Sequence, residues 1–224
     1  MPLYPTTTGT AALSSVGDSA SDVTAATAVT SDPVDGPKQL NAVFVNVYDV
    51  FEANSWLWSV GLGVHHAGIQ VYDKEYQYGR CEVGTGVCTV EPRHSPPHIF
   101  REQFYIGQTN LSEHAVEELI ESFRGNDSWQ GSRYHLVKHN CISFAHAFSR
   151  ALLTPEVRVA QMRAADRASY QNAYMEMVEV DGTQYMVPVL IPPHVDRLCQ
   201  NALAYLPELA LQKLDSMDNP FRPA

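Results

Sequence analysis

The chain has 224 residues, which suffices for one domain with a sizeable core plus extensions. Its formal net charge of -10 argues against a nucleic-acid-binding protein, which would carry a basic face, and against docking on an anionic membrane. Its four cysteines are too few for a disulfide framework in a chain of this length, which favours a reducing compartment, and no apolar run is long enough to span a membrane.

The first 38 residues differ in texture from the rest of the chain. Residues 1–38 consist largely of Thr, Ser, Ala, Asp and Pro. Such a segment cannot bury enough apolar surface to offset the entropy lost on ordering, so we predict a disordered tail. We expect a folded domain at residues 40–206 and a C-terminal extension at residues 207–224.

The first half of this domain is typical of a small antiparallel sheet. Runs of β-branched and aromatic residues predict strands, and Asp73-Lys74 between two of them predicts a hairpin turn. The predicted strands are residues 42–48, 64–72, 75–79 and 104–106. Residues 54–60 predict a short apolar helix or a loop, and residues 80–98, rich in Gly, Pro and His, predict a loop.

Two helices are predicted to follow. We expect Asn110 to cap the first, with Glu113 at the capping-box position and an apolar stripe that ends at Phe123. The second helix begins at or near Cys141, because apolar residues continue from there at helical spacing through Leu152.

The remaining chain predicts further helix and a hairpin. Residues 155–173 are rich in Arg and Ala and are expected to be helical. Two β-prone runs, residues 175–180 and 184–189, surround Asp181-Gly182, which is a strong hairpin signal. Helical spacing returns at residues 195–214, with a kink or new turn at Pro207.

Cys141 is the foremost candidate for a reactive side chain. At a helix N-terminus, the helix dipole and the unpaired N–H groups favour thiolate over thiol. The same N–H groups can hold a developing oxyanion. The alternative is a packing role, because free cysteine is among the most buried residue types.

A nucleophilic cysteine needs an imidazole close to its sulfur, and nine histidines compete for that place. His65 and His66 lie on a predicted strand, which is a rigid support for a ring. Alternation puts His65 on the apolar face and His66 on the opposite face, beside Gly68. Because Gly68 leaves room there for a substrate backbone, the pattern favours His66 as the base. Two packed or solvated histidines at a strand start are the alternative.

Several short motifs follow one another along the chain. They are Val47–Asp49, Gly61–Tyr72, Glu75–Gly79, Ile106–Thr109, Tyr134–Leu136 and His139–Phe144, with a further segment at Ile191–Leu198. Together they resemble the PPPDE family, the deSUMOylating isopeptidases, over about residues 42–153 and 190–206.

The resemblance implies an α+β, permuted papain-like cysteine peptidase fold, with a small antiparallel sheet packed with helices and with histidine before cysteine in the chain. It implies that Cys141 is the nucleophile and His66 the base of a dyad that cleaves isopeptide bonds to a ubiquitin-like modifier. No third catalytic residue is evident, because Asn140 is too close to Cys141 along the chain to orient His66.

The chain departs from the family pattern in three places. His65 replaces an apolar or aromatic residue, which leaves a swap of roles with His66 open. His194 stands at the family's usual tryptophan position. Residues 154–189 look like an insertion that contains the predicted hairpin. We expect this hairpin to tune the choice of partner, and a purely packed embellishment is the alternative.

The expected function is therefore that of a cytoplasmic, or also nuclear, cysteine isopeptidase that removes SUMO or ubiquitin from protein lysines without a cofactor. Its expected partners are the modifier and its protein conjugates, and a homodimer is compatible with the sequence. One alternative is an S-acyl protein thioesterase with the same dyad. Another is a weakly active binding module for a ubiquitin-like modifier.

A zinc site is considered and rejected. Cys81, Cys88, His94 and His98 are spaced C-x6-C-x5-H-x3-H, unlike the short knuckles of structural zinc sites. No metal is expected.

Overall fold

The structure is a computed structural model that describes residues 40–50, 65–164 and 174–195. The predicted tail at 1–38, the segment at 54–60, Cys199 and the C-terminal extension at 207–224 lie outside the described residues. Of the helical pattern at 195–214, only Val195 is described. The domain boundaries therefore stay predictions.

The described residues form seven strands and three α-helices. They are β1 (Ala42–Asp49), β2 (His65–Val71), β3 (Lys74–Tyr78), β4 (Val87–Val90), β5 (Ile99–Gln108), α1 (Glu113–Arg124), α2 (Cys141–Leu152), α3 (Pro155–Ala164), β6 (Met175–Val180) and β7 (Thr183–Pro188). Two single 3-10 turns, Asp127–Trp129 and Gly131–Arg133, lie between α1 and α2. None of these helices is long and apolar enough to cross a membrane.

β1 to β5 form one antiparallel sheet in the order β4-β3-β2-β1-β5. In this register Tyr48 on β1 lies opposite His66 on β2, and Ile69 on β2 lies opposite Tyr76 on β3. A small antiparallel sheet packed with helices was predicted, and the α+β class is confirmed.

Two strands differ from the sequence-based expectation. β4 lies within the predicted loop, and β5 covers ten residues where three were predicted. Both are edge strands of the sheet that the described residues form, so one side of each has no neighbouring strand among these residues and polar side chains are tolerated there. β5 also has two irregularities in its register with β1, which interrupt its alternation. The alternation of apolar and polar residues is therefore a weak predictor of β4 and of the bounds of β5.

One face of the sheet carries the core. The apolar side chains of β2 pack against α2, where Phe144 and Phe148 are fully buried. Burial of each such ring contributes roughly 1.5–3 kcal/mol to stability. This packing holds the start of α2 against the start of β2 and so decides which side chains meet there.

The cap of α1 corrects a prediction. Ser112, not Asn110, is the N-cap, and its side chain accepts a hydrogen bond from the Ala115 backbone N–H at 3.2 Å. Glu113 is the first residue of the helix rather than its third. The predicted apolar stripe is present, with Val116 and Ile120 buried. Serine and asparagine are comparably good N-cap residues, so local sequence did not distinguish Ser112 from Asn110.

The hairpin predicted around Asp181-Gly182 is confirmed. β6 and β7 pair from Met175 opposite Pro188 to Val180 opposite Thr183. Asp181 and Gly182 have φ values of 51° and 73°, the left-handed conformation that a two-residue turn of this type requires.

The hairpin is attached to α3 by a buried arginine. Arg158 Nη2 donates to Glu176 Oε1 at 2.5 Å and to the Pro188 carbonyl at 2.6 Å. Through Arg158, both strands of the hairpin contact α3. That the hairpin is an insertion in the family fold, and that it tunes the choice of partner, stay predictions.

Candidate active site

Cys141 is the first residue of α2, as the sequence predicted. Asn140 is the N-cap, and its Oδ1 accepts from the backbone N–H groups of Ile142 and Ser143, both at 3.0 Å. The Ser143 hydroxyl in turn accepts from the Asn140 N–H at 3.3 Å, which completes a capping box. Asn140 thus holds the helix start, and the two N–H groups that it engages are not available to a substrate oxygen.

His66 lies beside this helix start and contacts Cys141. It is the second residue of β2, and it is only 2% exposed. His65 turns the other way: its Nδ1 lies 3.4 Å from Asp49 Oδ1. Only the backbone carbonyl of His65 approaches the sulfur, at 3.9 Å from Cys141 Sγ. The structure thus brings Cys141 together with the ring of His66 and not with that of His65.

The surroundings of the sulfur favour its ionised form. Burial by itself raises the pKa of the Cys141 thiol, but the charge of His66 lowers it. Hydrogen bonds from His66, the Ala67 backbone and Tyr134 lower it further. The net pKa lies below the ordinary value of a cysteine.

The surroundings of His66 favour its protonated form. Burial lowers the pKa of His66, but the sulfur of Cys141, through its charge and a hydrogen bond, raises it. A hydrogen bond to Gln77 and the charge of Glu75 act in the same direction, and the net pKa is raised. The opposite shifts at sulfur and imidazole both favour a thiolate–imidazolium pair, which is the reactive state of a cysteine nucleophile.

A second histidine lies on His66. The rings of His66 and His98 stack with centroids 4.9 Å apart and an interplanar angle of 27°. Burial and the charge of His66 lower the pKa of His98 to about 3, so His98 stays neutral while His66 carries a proton. His98 belongs to the set considered for zinc, and sequence reasoning missed this position because a ring contact across a loop leaves no local pattern. Within the described ranges, no group of three or more His, Cys, Asp or Glu side chains is placed to hold a metal ion.

The other side of His66 faces two polar residues of β3. Nε2 of His66 lies 3.0 Å from Gln77 Oε1, and the Ser95 hydroxyl donates to the same oxygen at 2.8 Å. The Gln77 amide nitrogen donates to Glu75 Oε1 at 2.6 Å. Alternation in the predicted hairpin could have found this pair, because Glu75 and Gln77 must share the sheet face of Gly68 and His66.

Glu75 is fully buried and is the centre of a polar network. Its carboxylate accepts from Asn46 Nδ2 at 2.5 Å, from the Tyr48 hydroxyl at 2.7 and 2.8 Å, and from the Arg93 backbone N–H at 2.9 Å. Burial and the hydrogen bond to Glu75 raise the pKa of Tyr48, so its hydroxyl keeps the proton that it donates.

The network corrects the interpretation of Gly68. The missing side chain was expected to leave room for a substrate backbone beside His66. A Cβ atom at Gly68 would lie 2.1 Å from Glu75 Oε1, so the space is already filled by the chain's own carboxylate. The absence of a side chain at Gly68 makes room for the side chain of Glu75 and not for a substrate.

Two further histidines have partners of their own. His139 stacks on Trp129 at 4.5 Å, and its Nε2 lies 2.8 Å from the Ser128 carbonyl oxygen. His194 has its Nε2 3.1 Å from Glu102 Oε1 on β5.

A family model and several known proteins match part of this chain. Residues 41–185 match the family model described as "PPPDE putative peptidase domain". The chain is 37% identical over 114 residues to a DeSI-like protein of Arabidopsis thaliana, and the match covers 50% of each chain. It is 29% identical over 133 residues to a protein of Caenorhabditis elegans named Desumoylating isopeptidase 1 homolog, covering 57% of this chain and 39% of the relative.

A third relative is Desumoylating isopeptidase 1 of Xenopus laevis. The chain is 29% identical to it over 90 residues, which is 40% of this chain and 50% of the relative. The chain thus spans half or less of the length of these three relatives.

Proposed function

Because the chain belongs to the PPPDE peptidase family, we propose that it is a cysteine isopeptidase that removes a ubiquitin-like modifier from protein lysines through Cys141 and His66. The observation that carries the proposal is the buried contact between Cys141 and His66, with the pKa of the thiol lowered and that of the imidazole raised. SUMO is the first candidate modifier, since two of the matched relatives are named desumoylating isopeptidases, and ubiquitin is the second.

The proposed reaction begins with attack of the Cys141 thiolate on the carbonyl carbon of a Gly–Lys isopeptide bond. The C–S bond forms, and the carbonyl oxygen becomes an oxyanion. When the C–N bond breaks, the imidazolium of His66 gives its proton to the departing lysine amine. A thioester to the modifier remains on Cys141. His66, now neutral, takes a proton from water, and the resulting hydroxide adds to the thioester carbonyl carbon. The C–S bond then breaks, the modifier leaves with a carboxyl group at its C-terminus, and the thiolate–imidazolium pair is restored.

The oxyanion needs a donor near the sulfur. The side chain of Asn140 already engages the N–H groups of Ile142 and Ser143. We assign the role to the backbone N–H of Cys141 itself, which lies at the same helix start. The reaction requires a reduced thiol at Cys141, and a reducing compartment keeps thiols reduced. The proposed location is therefore the cytoplasm.

The test uses the purified full chain with SUMO and ubiquitin whose C-termini carry a thiol-reactive electrophile. We expect one of the two probes to become attached to Cys141. Cys141→Ala should remove the adduct, whereas Cys81→Ala, at a cysteine away from the helix start, should keep it. The same pair of variants is then assayed on a lysine-linked conjugate and on an S-acyl thioester.

The outcomes separate the candidate functions. Cleavage of the conjugate that depends on Cys141 supports the isopeptidase. Turnover of the thioester alone would replace it by a thioesterase. Tight binding of a modifier without adduct or turnover would replace it by a binding module.

A further inference from the structure

The hydrogen bonds around Gln77 define which way its amide points. The Glu75 carboxylate receives donors from every partner described for it, and a carboxylate has no proton to offer in return. The group of Gln77 that faces Glu75 is therefore the NH2 group. The carbonyl oxygen of Gln77 then faces His66, and the hydroxyl of Ser95 donates to the same oxygen.

The orientation of the Gln77 amide determines which ring nitrogen of His66 is protonated when the imidazole is neutral. A carbonyl oxygen accepts only, so Nε2 of His66 must hold a proton to make its 3.0 Å contact with Gln77 Oε1. In the neutral ring, Nδ1 then has the lone pair. Since Nε2 is engaged with Gln77, Nδ1 is the nitrogen that serves Cys141.

We propose that Gln77, anchored by the buried carboxylate of Glu75, is the positioning residue that holds His66 in the tautomer whose Nδ1 exchanges a proton with Cys141. The inference rests on the proposed dyad and supplies the third member that the sequence did not reveal. Gln77 acts through His66 and is not itself assigned a contact with substrate.

The alternative orientation of the amide is disfavoured at its Glu75 end. A rotated Gln77 would turn its carbonyl oxygen toward the Glu75 carboxylate, so that acceptor would face acceptor in a fully buried place. The hydroxyl of Ser95 and a ring nitrogen with a lone pair can both accept, so the other end does not oppose rotation. The carboxylate of Glu75 thus fixes the amide of Gln77, and through it the ring of His66.

The arrangement also has a steric component. Glu75 reaches Gln77 only because residue 68 has no side chain, as a Cβ there would occupy the position of the carboxylate. Gly68 and His66 lie on the same face of β2. One short stretch of strand therefore supplies the base and also the space for the group that orients it.

The test compares three variants of the full chain: Gln77→Leu, Glu75→Gln and, as a matched control, Gln161→Leu. Gln161 is also a partly buried, hydrogen-bonded glutamine, but it binds the backbone of Gln108 on β5. Two readouts are used: steady-state kinetics on the conjugate, and the rate at which iodoacetamide modifies Cys141 as a function of pH. The titratable groups around the His66 ring in the described structure are Tyr48, Glu75, His98 and Cys141.

We expect Gln77→Leu to lower kcat by about 10- to 100-fold, since general acid–base catalysis depends on the position of the ring. KM should stay within about twofold, because substrate contacts are unchanged. The pH at which modification of Cys141 reaches half its maximum should rise. Glu75→Gln should shift both readouts in the same direction, and Gln161→Leu should leave them unchanged.

A second measurement keeps the inference testable if Gln77→Leu does not fold. The ring nitrogens of His66 are observed by 15N NMR in Cys141→Ala, at a pH where the ring is neutral. We expect the tautomer with its proton on Nε2. A proton on Nδ1 would overturn the inference.

Failure of this inference is distinguishable from failure of the proposed function. If Cys141→Ala and His66→Ala keep full hydrolysis, the dyad itself is wrong. If both are inactive while Gln77→Leu folds and behaves like Gln161→Leu, the dyad stands and the role of Gln77 is wrong.

Discussion

Gly68 and Glu75 lie so close across β2 and β3 that a Cβ atom at residue 68 would sit 2.1 Å from Glu75 Oε1. The carboxylate cannot move aside freely, because it is fully buried and receives hydrogen bonds from four residues. These are Asn46, Tyr48, Gln77 and Arg93. The conformation of the network next to His66 therefore depends on the absence of a side chain at this one position.

Gly68→Ala is expected to displace Glu75 and to lower the free energy of unfolding by roughly 1–3 kcal/mol, as overpacking of a buried site does. It should also slow modification of Cys141, because Gln77 loses its anchor. Urea unfolding and iodoacetamide labelling measure the two effects. Gly125→Ala is the control, because a Cβ there meets its nearest atom at 3.5 Å, an ordinary contact. Equal stability of the two variants would contradict the steric argument.

The reactivity of Cys141 should persist at unusually low pH. A thiolate is lost as pH falls through the pKa of its thiol, and the pKa of Cys141 is lowered. At pH 6 we expect iodoacetamide to modify Cys141 at least about 10-fold faster than the exposed Cys88. Peptide mass spectrometry measures both rates in the same sample. Equal rates at pH 6 would argue against the thiolate–imidazolium pair.

Hydrolysis should depend on His66 and only weakly on His65. His66→Ala removes the ring that contacts Cys141, and we expect kcat/KM to fall on the order of 10²–10⁴-fold. The ring of His65 pairs with Asp49 instead, so His65→Ala should stay within a fewfold of the original rate. Parallel kinetics of the two variants check this. A greater loss in His65→Ala would reverse the assignment of roles.

His98 should make the fold sensitive to acid. Its pKa in the folded chain is lowered to about 3 by burial and by the charge of His66, whereas an unfolded histidine has a pKa near 6.5. Between these values the unfolded chain binds more protons, so stability falls as pH decreases from about 6.5 to 3. Below pH 3 both states are protonated and this contribution becomes constant.

His98→Phe keeps an aromatic ring on His66 and removes this titration. We expect its melting temperature to fall less steeply than that of the original chain between pH 6.5 and 4, as followed by circular dichroism. Identical pH profiles for the two proteins would show that His98 does not titrate in this way.

The sequence by itself determined the parts of this protein that depend on neighbours along the chain. The start of α2 at Cys141 follows from apolar spacing and from a good N-cap residue at Asn140. The turn at Asp181-Gly182 follows from residues that accept a left-handed backbone. Alternation on β2 separated His66 from His65, and the structure places their rings accordingly.

Tertiary structure alone decided which distant groups meet around His66. The stacking of His98, the entry of the Glu75 carboxylate beside Gly68 and the pairing of β4 with β3 join residues on different elements. Such contacts depend on how elements pack and on the volume left between them, which no local periodicity encodes. A missing side chain at Gly68 indicates only that space is needed there, and the packing of β2 against β3 decides that Glu75 fills it.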